Sequence, residues 1–449
     1  MIDVRFPNHD FRPRTSDPVF DFTPKHEYFH TPKRGNRPRT TVTIMKIKKL
    51  YLQNFRCFER LELELSSGVN LFIGDNGSGK SAILDALAIG FGVIATHLPE
   101  VSGISFKKYD LREVNCRKLP YTRVTLESFN DIHWDTTQSR DKSPNTKKQI
   151  PKATGTKQLI SVLNKQILDR YNNNLDFDLP LFAYYGVSRA ILDIPLSRKG
   201  FQKKTSRFEA LSGALNADSR FRSAFIWFYN KENREYRLQK EKKSFDLTLN
   251  ELNAVRRAIT ALFPDLSEPH IEVSPLRFIV KKDGQSLALE QLSDGYKTMI
   301  GLVIDLCARY TMANPHLSDP LESEGMVIID EVDLHLHPTW QQRVVADLVK
   351  IFPNTQFILT THSPFVLESL NNHLKREKIK DLEIQQVEIQ NIMSLRQDMV
   401  KAYVLENSEA TEILDEESGL IDDRLLHVFN DINMLYDRMR DMEWESRND

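Results

Sequence analysis

The chain has 449 residues, 40% hydrophobic and 27% charged, a length that suits two or three domains around a large core. A net charge of −1 supplies no global field for nucleic acid, so any such surface must be a local patch. Three widely spaced cysteines, Cys57, Cys116 and Cys307, argue against a disulfide framework or a zinc site; with no apolar run near membrane-span length and no hydrophobic leader, the expectation is a cytoplasmic protein without a membrane partner.

Residues 1–44 carry Pro7, Pro13, Pro18, Pro24, Pro32 and Pro38 among arginines and aromatics. That frequency is incompatible with a helix or a central strand and predicts a flexible arm, with Met45 as an alternative natural start. From residue 46, KIKKLYLQNFRCFERLELELSSGVNLFIG alternates apolar and polar residues in two runs, predicting two strands that lead into a glycine-rich turn. The turn, GDNGSGKS at residues 74–81, fits G-x-x-x-x-G-K-[ST] without a mismatch, and the helix-like AILDALAIGFGVI follows at once. Strand, glycine-rich turn and helix in that order aim backbone N–H groups and a helix N-terminus at one anion. Gly74, Gly77 and Gly79, with Asn76 and Ser78 between them, let the backbone approach phosphates; Lys80 reaches the β and γ phosphates and the Ser81 hydroxyl ligates magnesium.

Beyond a β-like piece at residues 121–130, the basic stretch with Arg140, Lys142, Lys147, Lys148 and Lys152 reads as a solvated loop. LFAYYGVSR at 181–189 reads as a buried strand, and 200–263 as a helical subdomain whose basic cluster, Arg207, Lys231, Arg234, Arg237, Lys240, Lys242 and Lys243, is a DNA surface or a solvated helix face. Strands return at 271–280 and 287–289. LSDGYK at 292–297 then opens an apolar helix. MVIIDEVDLHLHP at 326–338 is a buried strand ending in Asp330 and Glu331, followed by a helix at 339–351 and by QFILTTHSP, with His362 at a strand end. The remainder holds one or two weak strands and an acidic, helix-like tail.

The order of these pieces matters more than any one of them. Beside the loop strand, Asp330 would complete a magnesium site through water and Glu331 would polarise an attacking water. Asp333, His335 and His337 lack a compact third ligand set for a metal cluster.

NFR at 54–56, GDNGSGKS, LSDG, IIDEVDLHLHP and TTHSP together resemble the ATPase heads of the ABC class in SMC, RecF and OLD-type proteins, and among them the compact AAA-like ATPases of phage-defence operons typified by PtuA of the Septu system. The resemblance spans residues 45–370. It implies an α/β ABC-type ATPase head, a mixed sheet around the phosphate loop, with a helical insertion lobe: a first lobe at 45–199, the insertion at 200–268, a second lobe at 269–370 and a tail at 371–449. It implies ATP and Mg2+ as cofactors, Glu331 as catalytic base, His362 as switch histidine and Arg56 reaching the nucleotide. Ser293 and Gly295 would act in trans across a homodimer or higher homo-oligomer. Asp294 and Tyr296 depart from the usual LSGGQ, and Ser188 and Arg189 stand where a glutamine is expected. A separate HNH nuclease subunit and DNA are the implied partners, with no nuclease in this chain. A DNA-repair ATPase of the SMC or RecF kind and a low-turnover, ATP-stabilised scaffold are the alternatives; a transporter ATPase is disfavoured.

Overall fold

The computed structural model describes residues 46–190, 206–217, 221–382, 386–415 and 417–422, with 434 and 438–440. The proline-rich arm and nearly all of the acidic tail lie outside the described residues.

The chain opens with β1 (Ile47–Phe55), β2 (Phe58–Glu64) and β3 (Val69–Gly74), then α1 (Lys80–His97). A small hairpin, β4 (Glu113–Val114) and β5 (Arg117–Lys118), precedes β6 (Tyr121–Ser128) and β7 (His133–Ser139). Next come α2 (Pro144–Gln149) and α3 (Thr156–Leu163), which passes through a π-helical turn into α4 (Asp169–Asn172), and then β8 (Leu181–Tyr185). The helices α5 (Phe221–Lys242) and α6 (Asn250–Leu262) lead into β9 (Leu266–Val273), β10 (Leu276–Lys282), β11 (Gln285–Ala288) and α7 (Asp294–Ala313). The last third contains β12 (Gly325–Ile329), α8 (Pro338–Gln341), α9 (Val344–Ile351), β13 (Thr355–Thr361), α10 (Pro364–Lys378), β14 (Val400–Glu406) and β15 (Glu409–Glu412).

The central sheet runs β15-β14-β3-β13-β12-β8, parallel except for β15. Its middle strands β3, β13 and β12 are buried almost end to end, as parallel strands covered on both faces must be. A second, antiparallel sheet runs β2-β1-β6-β7. Between the two lies α1, which touches β3 and β13 on one side and β1, β6 and β7 on the other. Apolar nearly all round, α1 is long and apolar enough to cross a membrane, yet it is 72% buried inside this fold.

Two buried amides tie β13 to β1 and β3 to the β2–β3 connection. Gln356 accepts from the Ile47 N–H at 2.8 Å and donates to the carbonyls of Ile47 and Ser66 at 2.7 and 2.6 Å. Asn70 accepts from the Ser66 N–H at 2.7 Å and donates to Phe357 O at 3.3 Å. Both side chains are fully buried, and these bonds offset the cost of desolvating them.

Several expectations change. Part of the supposed solvated loop is β7, whose Trp134 is fully buried and donates to Gly90 O at 2.9 Å, while Asp135 pairs with Arg123 at 3.0 Å. The strand expected at 271–280 is a hairpin, β9 turning into β10 through Ser274 and Pro275. The helix expected at 339–351 breaks at Arg343, which leaves the helical region so that its guanidinium reaches the last carbonyls of α6, Ala261 O and Leu262 O, each at 3.1 Å. The basic cluster is also smaller than expected. Arg207 turns inward, stacking 3.9 Å from the Phe177 ring centroid and donating to Ala313 O, and Lys231 pairs with Glu251 at 2.6 Å. Arg234, Arg237, Lys240, Lys242 and Lys243 stay exposed toward the far end of α5.

Candidate nucleotide-binding site

The site assembles where β3, β12 and β13 end together. Strand β3 delivers the chain into the loop, where Gly74, Gly77 and Gly79 take φ values of 147°, 84° and 108°. Such values favour glycine. At Gly79 a second reason applies, since a Cβ there would fall 2.6 Å from the Phe58 ring and 3.0 Å from Cys57 Sγ in the β1–β2 turn. Asn76 and Gly77 are exposed at the loop crest, and Ser78 Oγ is buried with no hydrogen-bond partner among the described residues. No side-chain hydrogen bond caps the N-terminus of α1, which leaves its first N–H groups open to an anion. Lys80 Nζ donates to Gly74 O at 2.7 Å and Asp75 O at 2.9 Å, and burial lowers its pKa against the opposing pull of Asp330, Glu331 and Asp75.

The acidic half of the site comes from β12. Ser81 Oγ donates to Asp330 Oδ2 at 3.0 Å, so the two residues expected at the metal are adjacent. A hydroxyl and one carboxylate are oxygen donors of the kind Mg2+ takes when phosphates and water supply the rest. No cluster of three or more His, Cys, Asp or Glu suited to a metal occurs among the described residues.

Two residues that sequence reasoning missed organise this half. Thr360 Oγ1 donates to Asp330 Oδ1 at 2.6 Å and accepts from the Glu331 N–H at 2.7 Å, while Thr361 Oγ1 donates to Asp333 Oδ1. Their only signal was the TT ahead of His362. Glu331 adopts φ 49°, a left-handed conformation that costs a non-glycine residue on the order of 1 kcal/mol and persists only where neighbours enforce it. His362 follows β13 directly and is exposed.

Arg56, at φ 49°, is committed to two carboxylates: Asp85 on α1 at 2.5 Å and the fully buried Asp110 at 2.9 Å. It also faces the Tyr109 ring at 5.1 Å and so braces the β1–β2 turn against the start of α1.

Ser293 stands exposed as the N-cap of α7 and makes no capping bond. Gly295 is buried, and a Cβ there would lie 2.7 Å from His335 O. Tyr296, in the glutamine position, joins a cluster with Trp340 and Phe263, ring centroids 4.3 and 5.1 Å away, and accepts from Lys282 Nζ at 3.0 Å. Further along α7, Asp305 accepts from Tyr185 OH and from Arg309 Nε, both at 2.7 Å. Tyr185 O in turn accepts the Asp330 N–H at 2.9 Å, so one residue of β8 links α7 to Asp330.

The chain is similar to several known proteins. Residues 49–266 match the family described as AAA domain. A retron Vc95 probable ATPase of Vibrio cholerae serotype O1 biovar El Tor is 28% identical over 375 residues, covering 73% of this chain and 72% of the relative. A Septu protein PtuA of Bacillus thuringiensis is 22% identical over 394 residues, covering 85% and 86%. Among solved structures, the SMC head domain from Thermotoga maritima aligns with a TM-score of 0.40 at 18% identity, covering 82% of this chain and 98% of that one. Residues 49–266 thus match the AAA domain family within an α/β fold that has a mixed sheet around the glycine-rich loop, and the chain is a homologue of retron ATPases and of Septu PtuA proteins.

Proposed function

We propose that this chain is a Mg2+-dependent ATPase whose nucleotide state controls a homodimer and, through it, a separate nuclease. The observation that carries the reading is the contiguous set Ser81, Asp330, Thr360 and Glu331, in which a phosphate-loop hydroxyl, a metal carboxylate and a base follow one another through hydrogen bonds of 3.0, 2.6 and 2.7 Å.

ATP would lie with its phosphates over Gly74–Ser81, held by loop N–H groups and by Lys80, whose ammonium would leave the Gly74 and Asp75 carbonyls for the β and γ oxygens. Ser81 and Asp330 would hold Mg2+, which when bound neutralises charge developing on the β and γ phosphates. Glu331, kept in place by Thr360, would accept a proton from the water attacking the γ phosphorus in line. His362, at the end of β13, would contact the γ phosphate and that water. Ser293, exposed at a helix N-terminus with its hydroxyl uncommitted, would donate to the γ phosphate held by a second copy, with Gly295 setting the close approach of α7 to the His335 segment.

Closure of such a dimer converts nucleotide state into shape, and the Septu resemblance points to an HNH nuclease subunit as the reader of that shape. Two measurements test the proposal. The purified chain should hydrolyse ATP with Mg2+ and stop with EDTA or in Lys80→Ala, and the nuclease subunit should co-purify with it. Hydrolysis undiminished in Lys80→Ala would remove the phosphate loop from the chemistry.

A further inference from the structure

We infer that Arg189 is a positioning residue for the catalytic glutamate. Arg189 lies in the single 3-10 turn Val187–Ala190 that follows β8, next to the end of β12. Its side chain is buried, 4% exposed; its Nη donors converge on backbone carbonyls, while Nε finds no hydrogen-bond partner among the described residues. Nη1 donates to Asp330 O and, at 3.1 Å, to Gly186 O; Nη2 donates to Glu331 O.

Burying a guanidinium costs several kcal/mol unless its donors are satisfied, and an apolar side chain of similar size would fill the same space without that cost. The charge is therefore informative. Its fork grips two consecutive carbonyls, those of the metal aspartate and the base, and the second of these residues is held at φ 49°. The planar fork fixes both carbonyl directions at once, which a single-point donor such as lysine does not. Thr360 holds the N–H side of the Asp330–Glu331 peptide and Arg189 the carbonyl side of each residue, so the Glu331 side chain is aimed by a clamp on both faces. Burial lowers the Arg189 pKa to about 10 against the raising influence of Asp330, Asp333 and Glu331, so the side chain stays charged at neutral pH. Its Nη groups bond to the carbonyls of Gly186, Asp330 and Glu331 and not to the Asp330 carboxylate, Ser81 or Lys80. Its effect falls on the turnover step.

This assignment rests on Glu331 being the base, and the test separates the two. Arg189→Met, Arg189→Lys and Glu331→Gln are compared with the native chain for Mg-ATP affinity, kcat, KM and Tm. Arg189→Met should bind Mg-ATP within about threefold of the native chain while kcat falls on the order of 100-fold, the cost of misplacing a catalytic group by about 1 Å. Arg189→Lys, which keeps one donor point, should recover part of that kcat. Native kcat in Arg189→Met alongside a dead Glu331→Gln overturns the role of Arg189 and leaves the base in place. A Glu331→Gln variant at the native rate removes both. Should Arg189→Met fail to fold, Arg189→Lys decides: native kcat, or a loss of nucleotide affinity and Tm in step with kcat, contradicts positioning.

Discussion

Ser81 Oγ and Asp330 Oδ2 meet at 3.0 Å although 249 positions separate them in the chain. The meeting follows from sheet register: β13 pairs Thr361 with Ile73 of β3 on one side and Leu359 with Ile329 of β12 on the other, so both acid and hydroxyl emerge at the same sheet edge. Asp330→Asn keeps the Thr360 and Ser81 contacts in shape but removes the charge. Mg-dependent nucleotide affinity should drop on the order of tenfold or more, while affinity measured in EDTA changes little. A fluorescent-nucleotide titration with and without Mg2+ reads the difference directly.

A second expectation concerns pH. Glu232 on α5 is 5% exposed, and burial pushes its carboxyl up to about 7, with the Ile271 N–H donating to it at 3.0 Å and His270, Arg256 and Glu235 as its charged neighbours. The folded chain therefore holds this proton more tightly than the unfolded chain, whose carboxyl titrates near 4.5. Stability from this group is complete below pH ~4.5 and is lost as pH rises through about 7, by up to about 3 kcal/mol. Glu232→Gln keeps an acceptor for Ile271 and carries no charge. Its Tm should match the native chain at pH 5 and exceed it at pH 8.

The buried pair on α7 gives a third. Asp305 is 2% exposed and satisfies both Tyr185 and Arg309. Asp305→Ala leaves the Arg309 guanidinium buried without its carboxylate and should cost about 3–5 kcal/mol in chemical denaturation. Asp305→Asn, which still accepts from Tyr185, should cost less. Equal losses would mean that the carboxylate's charge, not its shape, holds this contact.

Much of the site was legible because its chemistry is contiguous. GDNGSGKS carries the proposed phosphate contacts, the turn glycines and the helix start in eight residues, and the apolar run ending at Asp330 announces a buried strand by itself. What stayed hidden depends on partners far away in the chain. That Val400–Glu406 lies directly beside β3 is set by pairing across more than three hundred residues, and its own pattern reads only as a weak strand. Asp110 as the buried anchor of Arg56, and Arg189 as the clamp on Asp330 and Glu331, are invisible for the same reason: nothing local marks a carboxylate or a guanidinium as turned inward. Tyr296 shows the opposite case. Its departure from the expected glutamine was plain in the sequence, and only the packing against Trp340 and Phe263 supplies a physical reason for an aromatic there.

The sharpest test of the whole reading is Glu331→Gln, assayed for ATP turnover and for assembly by light scattering in Mg-ATP. Binding without hydrolysis should trap a stable ATP-bound dimer, with turnover falling on the order of 100-fold or more. Undiminished hydrolysis, or a chain that binds Mg-ATP and remains monomeric at every concentration tested, would contradict a composite site closed by Ser293 of a second copy.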